Sequence, residues 1–273
     1  MNSSTGVWTN QSSQWDRVGP PLRPCLEDHQ LMERGIHEVA SKKKRLRALV
    51  MGVTPEMARL KWPDETDLLA VDKSQHMIDS VWPGYPNPGE GVLCGNWLDL
   101  PLEKHSRDLA VSDGPFGVLR FPHEYYDVLK QLKRVLTTDG IFVFRIFARP
   151  EKEEKASEIY EAALNGNIGN FHVFKLRLLM AMQPDSRAGV RTGDVWEEWE
   201  HNGPGSKTLS DKCGWPVEQI NTIEAYRGQN DIYSFPTLQE ILAILDESGF
   251  EILRCTEPAY ELGERCPTLT CKV

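Results

Sequence analysis

Five short apolar runs, each ending in polar residues or glycine, constrain what this chain can fold into more than anything else in it. Residues 46–51 (Leu-Arg-Ala-Leu-Val-Met) run into Gly52, and residues 67–71 (Asp-Leu-Leu-Ala-Val) into Asp72. Residues 91–95 lead into Asn96-Trp97, and residues 108–112 into Asp113-Gly114. Residues 141–147 form the fifth run, closed by Arg149-Pro150. Runs this short and apolar fit strands buried on both faces, as in a parallel sheet with crossover helices. In open α/β sheets the ligand lies beyond the carboxyl ends of the strands. Gly52, Asp72, Asn96 and Asp113 are therefore expected around one ligand, and an acid closing the second strand suggests a ribose.

Composition sets the outer bounds. A chain of 273 residues, 40% hydrophobic and 26% charged, is long enough for a full core and reads as soluble and globular. It has no apolar run of membrane-spanning length, and its first residues lack the pattern of a secretion signal, so a cytoplasmic protein is expected. The six cysteines (25, 94, 213, 255, 266 and 271) are scattered without zinc-ligand spacing, which fits reduced thiols and no bound metal. A net charge of −9 argues against nucleic acid as partner. The one basic run, Lys42 to Arg45, fits the solvated C-terminal end of a helix.

Residues 1–25, with Trp8, Trp15 and a turn-rich Gly19 to Pro24, look irregular, and residues 28–40 read as a helix. Tyr125, Leu129, Leu132 and Leu136 form one helical stripe, and Asp139-Gly140 is a turn. After Pro150 the pattern becomes helical: 152–165, 171–182 and 195–201, with 215–226 a further candidate. Residues 237–248 read as a helix with Gly249 as its C-terminal cap, followed by two strands, 250–255 and 268–272, joined as an antiparallel hairpin. Residues 151–234 therefore read as a helical insertion leaving the sheet on its ligand side.

Several stretches resemble the class I S-adenosylmethionine-dependent methyltransferases. The order of five parallel strands and a last antiparallel hairpin is theirs. Residues 50–56 (Val-Met-Gly-Val-Thr-Pro-Glu) stand where that family has an acid and a glycine-rich loop. Gly52 matches the first glycine, Val50 replaces the acid, and Thr54 and Glu56 replace later glycines. With the Pro20-Pro21-Leu22-Arg23-Pro24 segment, this variant resembles a bacterial branch of these enzymes. Residues 72–78 (Asp-Lys-Ser-Gln-His-Met-Ile) resemble the Asp-x-Ser-x-x-Met-Ile stretch, residues 95–101 the Gly-Asp-x-x-x-Leu-Pro stretch, and residues 132–140 the Leu-x-Arg-Val-Leu-x-x-x-Gly pattern.

The resemblance implies an α/β fold: a Rossmann-like, doubly wound, seven-stranded sheet, mostly parallel with an antiparallel last strand, plus the helical lid. It implies one domain over residues 1–273. Residues 1–45 would form a cap segment and helix, 46–150 and 235–273 the cofactor-binding core, and 151–234 the lid. It implies S-adenosylmethionine as cofactor, S-adenosylhomocysteine as product, and a cofactor site of Gly52, Val53, Thr54, Glu56, Asp72, Lys73, Met77, Asn96, Trp97, Asp113 and Gly114. Asp72 would take both ribose hydroxyls, Met77 would lie near the adenine, Asn96 would accept from the adenine amine, and Glu56 could pair with the methionine ammonium.

The acidic charge and the lid favour a small-molecule acceptor, with Trp15, Arg23, Trp196, Trp199 and Tyr233 as its contacts. Aligning an acceptor and excluding water supply much of such a rate. A base is needed only where the acceptor must lose a proton; His123, His172, His201, Tyr226 and Tyr233 are the candidates. Each residue also has a plainer role: Asp72 as a helix cap, Asn96 and Asp113 in turns, Met77, Trp196 and Trp199 in the core. Two alternatives stand beside a methyltransferase: a cofactor-binding protein without transfer, and a nicotinamide oxidoreductase. The Gly-x-Gly-x-x-Gly loop expected of the latter is missing around Gly52.

Overall fold

A computed structural model describes residues 14–84 and 91–273. Trp8 and the other residues of the 1–13 stretch lie outside the described residues. The strands are β1 (Arg47–Met51), β2 (Asp67–Asp72), β3 (Gly91–Cys94), β4 (Arg107–Asp113), β5 (Leu136–Arg145), β6 (Val190–Arg191), β7 (Ile232–Tyr233), β8 (Glu251–Thr256) and β9 (Thr268–Lys272). The helices are α1 (Leu26–Ala40), α2 (Pro55–Ala58), α3 (Gln75–Val81), α4 (His123–Val135), α5 (Ala156–Leu164), α6 (Phe171–Ala181), α7 (Thr192–Asn202), α8 (Ser206–Cys213), α9 (Val217–Ile220) and α10 (Leu238–Glu247).

Seven strands form one sheet in the order β3-β2-β1-β4-β5-β9-β8. The pairings among β1 to β5 are parallel, and β9 runs antiparallel to both β5 and β8. The chain order reverses between β1 and β4, so a crevice opens at the carboxyl ends of those two strands. Ala48, Leu49, Val50, Leu109, Ala110, Val111, Phe142, Val143 and Phe144 are buried, as strands covered on both faces require. Helix α1 covers one face, and a Cβ on its Gly35 would meet Val143 Cγ2 at 2.6 Å, so glycine there permits the close approach. On the other face α4 buries Tyr125, Val128, Leu129, Leu132 and Val135 against Phe142 and Phe144.

Three details depart from the sequence reading: Asp139-Gly140, expected as a turn, lies inside β5, and the other two concern β3 and residues 215–226. The run at residues 91–95 is not buried on both faces: β3 is an edge strand, with Leu93 and Cys94 exposed. Residues 215–226 do not form one helix. Pro216 starts the short α9, which passes into a 3-10 turn over Asn221–Tyr226. The basic run does follow the end of α1, with Lys42 to Arg45 exposed and Lys43 pairing with Asp108.

Residues 151–234 contain α5 to α9 and the small ribbon of β6 and β7. They have their own apolar cluster, built on Phe171, Phe174, Trp199, Trp215 and Leu209. The rings of Phe171 and Phe174 contact both Trp199 and Trp215 at centroid distances of 5.5 to 6.1 Å, the Phe–Phe pair included. Leu262 and Cys266, from the turn between β8 and β9, join the same cluster. Full burial of each such side chain contributes about 1.5–3 kcal/mol.

Candidate functional site

Hydrogen bonds hold the crevice edge in register. The Gly52 N–H donates to the Val71 carbonyl at 2.8 Å, the Gly95 N–H to Asp72 at 2.9 Å, and the Gly114 N–H to Arg145 at 3.0 Å. Gly52 has φ +97° and Gly114 has φ +60°, which glycine adopts at little cost. Beyond these ends lies a cavity of about 340 Å³. Val53, Thr54, Asp72, Met77, Trp97 and Asp113 are on its sheet side, together with Gly52, Lys73, Asn96 and Gly114.

Asp72 sits where β2 passes into α3. Its Oδ1 accepts from the Ser74 N–H at 2.8 Å, while the helix cap is made by Ser74, whose Oγ accepts from Met77 N–H at 3.2 Å. Asp72 is therefore not the capping residue of α3. Burial raises its carboxyl above the usual range, against the backbone N–H groups of Ser74 and Val53. Trp97 is fixed by its indole N–H, which donates to the Val71 carbonyl at 2.7 Å. Its ring faces Gly52: a Cβ on Gly52 would lie 3.6 Å from Trp97 and 3.9 Å from Asp72 Oδ2, filling the gap between them. Asn96 has a turn role, its Oδ1 accepting from the Leu98 N–H at 3.1 Å, and that oxygen keeps a second lone pair.

Asp113 ends β4 and is bound at 2.6 Å by Arg145 Nε. Arg145 is fully buried, and its Nη1 also donates to Asp28 Oδ2 at 3.2 Å and to the Tyr260 hydroxyl at 3.3 Å. Burial disfavours the Arg145 cation, but Asp113 and Asp28 outweigh it and hold its pKa well above the ordinary value. The charge at this strand end is thus compensated inside the protein, and α1 is tied to β4 and β5.

The other walls come from outside the strand ends. Trp15, Val18 and Leu22 approach from the N-terminal segment, Gly117, Val118, Leu119 and Glu124 from the stretch after β4, and Phe147 from beyond β5. Lys175, Leu176 and Leu179 of α6, with Tyr226, Tyr233 and Phe235, complete the lining. Of these, the sequence reading had singled out Trp15, Tyr226 and Tyr233. It missed Lys175, whose helix carries apolar residues on nearly every side and so shows no polar face to mark it.

Seven anticipated residues stand off the cavity wall. Glu56 and Arg23 pair with each other: Arg23 Nε donates to Glu56 Oε1 at 2.9 Å, and Nη2 donates to the same oxygen. Arg23 also donates to the Trp15 carbonyl at 2.9 Å and lies over the Trp15 ring, so it braces Trp15 rather than facing the cavity. Trp199 is buried in the aromatic cluster of the helical segment. Trp196 donates its indole N–H to Glu224 Oε1 at 3.2 Å and carries Arg227 on its ring. His123 and His201 are exposed, His201 against the Glu197 carbonyl of its own helix. His172 also lies off the cavity wall; burial and the nearby Lys175 push its pKa down to about 4, so it is neutral at pH 7.

The residues present fit S-adenosylmethionine. The Gly52 cradle between Trp97 and Asp72 admits a flat or backbone-close group, and the Asp72 carboxylate at the end of β2 suits a diol. Met77, 4% exposed, adds an apolar wall beside it. Among the described residues no group of three or more His, Cys, Asp or Glu could hold a metal ion. Nor is any described helix long and apolar enough to cross a membrane.

Comparison with known proteins adds an independent line. Residues 51–144 match the family model for a methyltransferase domain. No curated protein matches the chain by sequence. A Burkholderia thailandensis 1,6-didemethyltoxoflavin-N1-methyltransferase, solved with 1,6-didemethyltoxoflavin and S-adenosylhomocysteine, is 13% identical with a TM-score of 0.50, covering 100% of this chain and 91% of that one. A Rhodobacter sphaeroides protein assigned as a zinc-dependent alcohol dehydrogenase is 11% identical with a TM-score of 0.55, covering 96% and 97%. A methyltransferase from Aquifex aeolicus is 15% identical with a TM-score of 0.49, covering 96% and 98%. At these identities the likeness is one of fold, whereas the family match runs from the last residue of β1 into β5 and includes the Gly52, Asp72 and Asp113 strand ends. Over residues 51–144 the chain is thus similar to the methyltransferase-domain family.

Proposed function

We propose that this protein is an enzyme that transfers a methyl group from S-adenosylmethionine to a small-molecule acceptor. The observation that carries this reading is the cavity itself. Strand-end residues suited to the cofactor and an apolar wall from α6, Tyr226, Tyr233 and Phe235 border one cavity. Its volume of about 340 Å³ is in the range of small-molecule sites, roughly 300–1,000 Å³. When bound, the cofactor supplies an electrophilic methyl on a sulfonium.

In this reading Asp72 holds the ribose, Met77 and Asn96 border the adenine, and Gly52, Val53 and Thr54 lie along the methionine moiety, with Asp113 and Gly114 beside it. Trp97 and Lys73 close the same end. Trp15, Phe147, Tyr226 and Tyr233 bound the acceptor and exclude water. The chain acts as one domain in which residues 151–234 cover the acceptor end. If that cover moves, its amides exchange hydrogen faster than those of β5 in the free protein and slow when cofactor and acceptor are present.

The test is a pair of calorimetric titrations, one with S-adenosylhomocysteine and one with NAD, followed by a metabolite screen with labelled methyl donor. Binding of S-adenosylhomocysteine and label transfer to a small molecule are expected. S-adenosylhomocysteine binding without any transfer points to a cofactor-binding protein, and NAD binding alone points to an oxidoreductase.

A further inference from the structure

Lys175 is a cavity-lining cation that the cofactor does not account for. It is 2% exposed, sits in the middle of α6, and lines the cavity beside Leu176 and Leu179. Its Nζ donates to Thr222 Oγ1 at 2.9 Å, and Thr222 donates its own proton to the Gln219 carbonyl at 2.7 Å. The hydroxyl is thereby oriented to accept from the lysine. The Tyr226 ring lies 5.4 Å from Nζ.

An ammonium has three donors. One is used by Thr222, and no described carboxylate forms an ion pair with Lys175, although Asp72, Asp113 and Glu124 line the same cavity. Asp113 is taken by Arg145. The other titratable groups around Lys175 offer no free anion either. His172 lies one turn earlier on α6, and Glu224, on the turn with Thr222 and Tyr226, is held by Trp196 and Arg227. Burying a cation without a partner is costly, and burial alone pushes the Lys175 pKa down to about 7. A cation kept at such a site awaits an anion that the protein itself does not provide.

We propose that Lys175 recognises the methyl acceptor as an oxygen acid, a phenol, enol or carboxylic acid, and holds its ionised oxygen on Nζ. The inference rests on the methyltransferase reading and deepens it by naming the acceptor class. Where Lys175 is neutral and the acceptor arrives protonated, the O–H proton passes to the Nζ lone pair, giving an ammonium and an oxyanion. Where the acceptor arrives ionised, it pairs with the ammonium directly. Either route leaves the same ion pair, with the two spare N–H groups donating to the oxyanion. Phe147, Tyr226, Tyr233 and Phe235 around the pair suit a flat apolar body and exclude water from it. The same cation disfavours an acceptor that is itself cationic.

The probe is 4-nitrophenol, whose absorbance reports its own ionisation, titrated into protein saturated with S-adenosylhomocysteine. Binding of the phenolate is expected, with its apparent pKa lowered by at least about one unit, which is tenfold tighter binding of the anion than of the neutral phenol. Lys175→Met should lose this shift and at least about tenfold of phenolate affinity, whereas Lys175→Arg, which keeps the cation, should retain phenolate binding. A bound probe that stays neutral, an unchanged shift in Lys175→Met, or no binding at all to the loaded protein overturns the proposal. The wild-type titration decides even if Lys175→Met fails to fold. Absence of S-adenosylhomocysteine binding in the preceding calorimetry is a separate result and counts against the cofactor reading instead.

Discussion

The two sides of the cavity are built from different materials. The sheet side consists of strand ends: Gly52 and Gly114 at positive φ, Asp72 on a Ser74 N–H, Trp97 on a Val71 carbonyl, and Asp113 on Arg145. Nearly every polar group there is fixed by a neighbour in the same α/β layer. The helical side consists of apolar side chains on α6 and around β7, with Lys175 as its buried cation. That side is held by a separate aromatic cluster. A site divided in this way can keep one ligand constant on the rigid sheet edge and let the other be set by a handful of side chains on the helical wall.

The largest effects should come from breaking each side at its support. Arg145→Met leaves Asp28 and Asp113 buried without their cation, and about 3–5 kcal/mol of stability should be lost in denaturant titration. Trp199→Ala empties the centre of the aromatic cluster, with a similar loss of about 3–5 kcal/mol. The two variants should differ in binding. Trp199→Ala should leave S-adenosylhomocysteine affinity nearly unchanged, because Trp199 supports only the helical wall. Equal losses of affinity in both would dissolve the division.

Glu56→Gln comes next. Glu56 braces Arg23 beneath Trp15, so a loss of about 1.5–3 kcal/mol is expected, as for a hydrogen bond to a charged group. Cofactor affinity should fall less than stability; the reverse would return Glu56 to the methionine end.

A pH series isolates Lys175. Its folded pKa of about 7 lies below the ordinary lysine value of 10.5, so the unfolded chain binds the extra proton between these two pH values. Stability of the wild type relative to Lys175→Met should therefore rise with pH across that window, by up to about 1.4 kcal/mol per unit, and be flat below pH 7. A flat difference throughout would mean that the ammonium is not buried as described. The smallest effect is Ser74→Ala, which removes the cap of α3 and should cost about 1 kcal/mol.

The sheet side was the legible one. Its strands are short apolar runs with polar ends, and the ends of β1, β2 and β4 carry Gly52, Asp72 and Asp113 in plain view. Edge burial was less visible: the 91–95 run has the composition of an inner strand, and only the sheet order reveals β3 as an edge. On the helical side, tryptophans attracted notice because aromatics serve pockets and cores alike, yet Trp199 is core and Trp196 pairs with Glu224. Lys175 was invisible because its partner Thr222 lies on a distant turn. Likewise the Arg23–Glu56 pair joins residues far apart in the chain, so neither looked committed.

The central claim is that the sheet-side crevice holds the cofactor through Asp72, and one calorimetric comparison tests it most directly. S-adenosylhomocysteine is titrated into the wild type and into Asp72→Ala, with folding of both checked by thermal unfolding. The account predicts measurable binding to the wild type and at least about tenfold weaker binding to the variant, or ~1.4 kcal/mol. Equal affinity in two well-folded proteins, or no binding to the wild type, would contradict it.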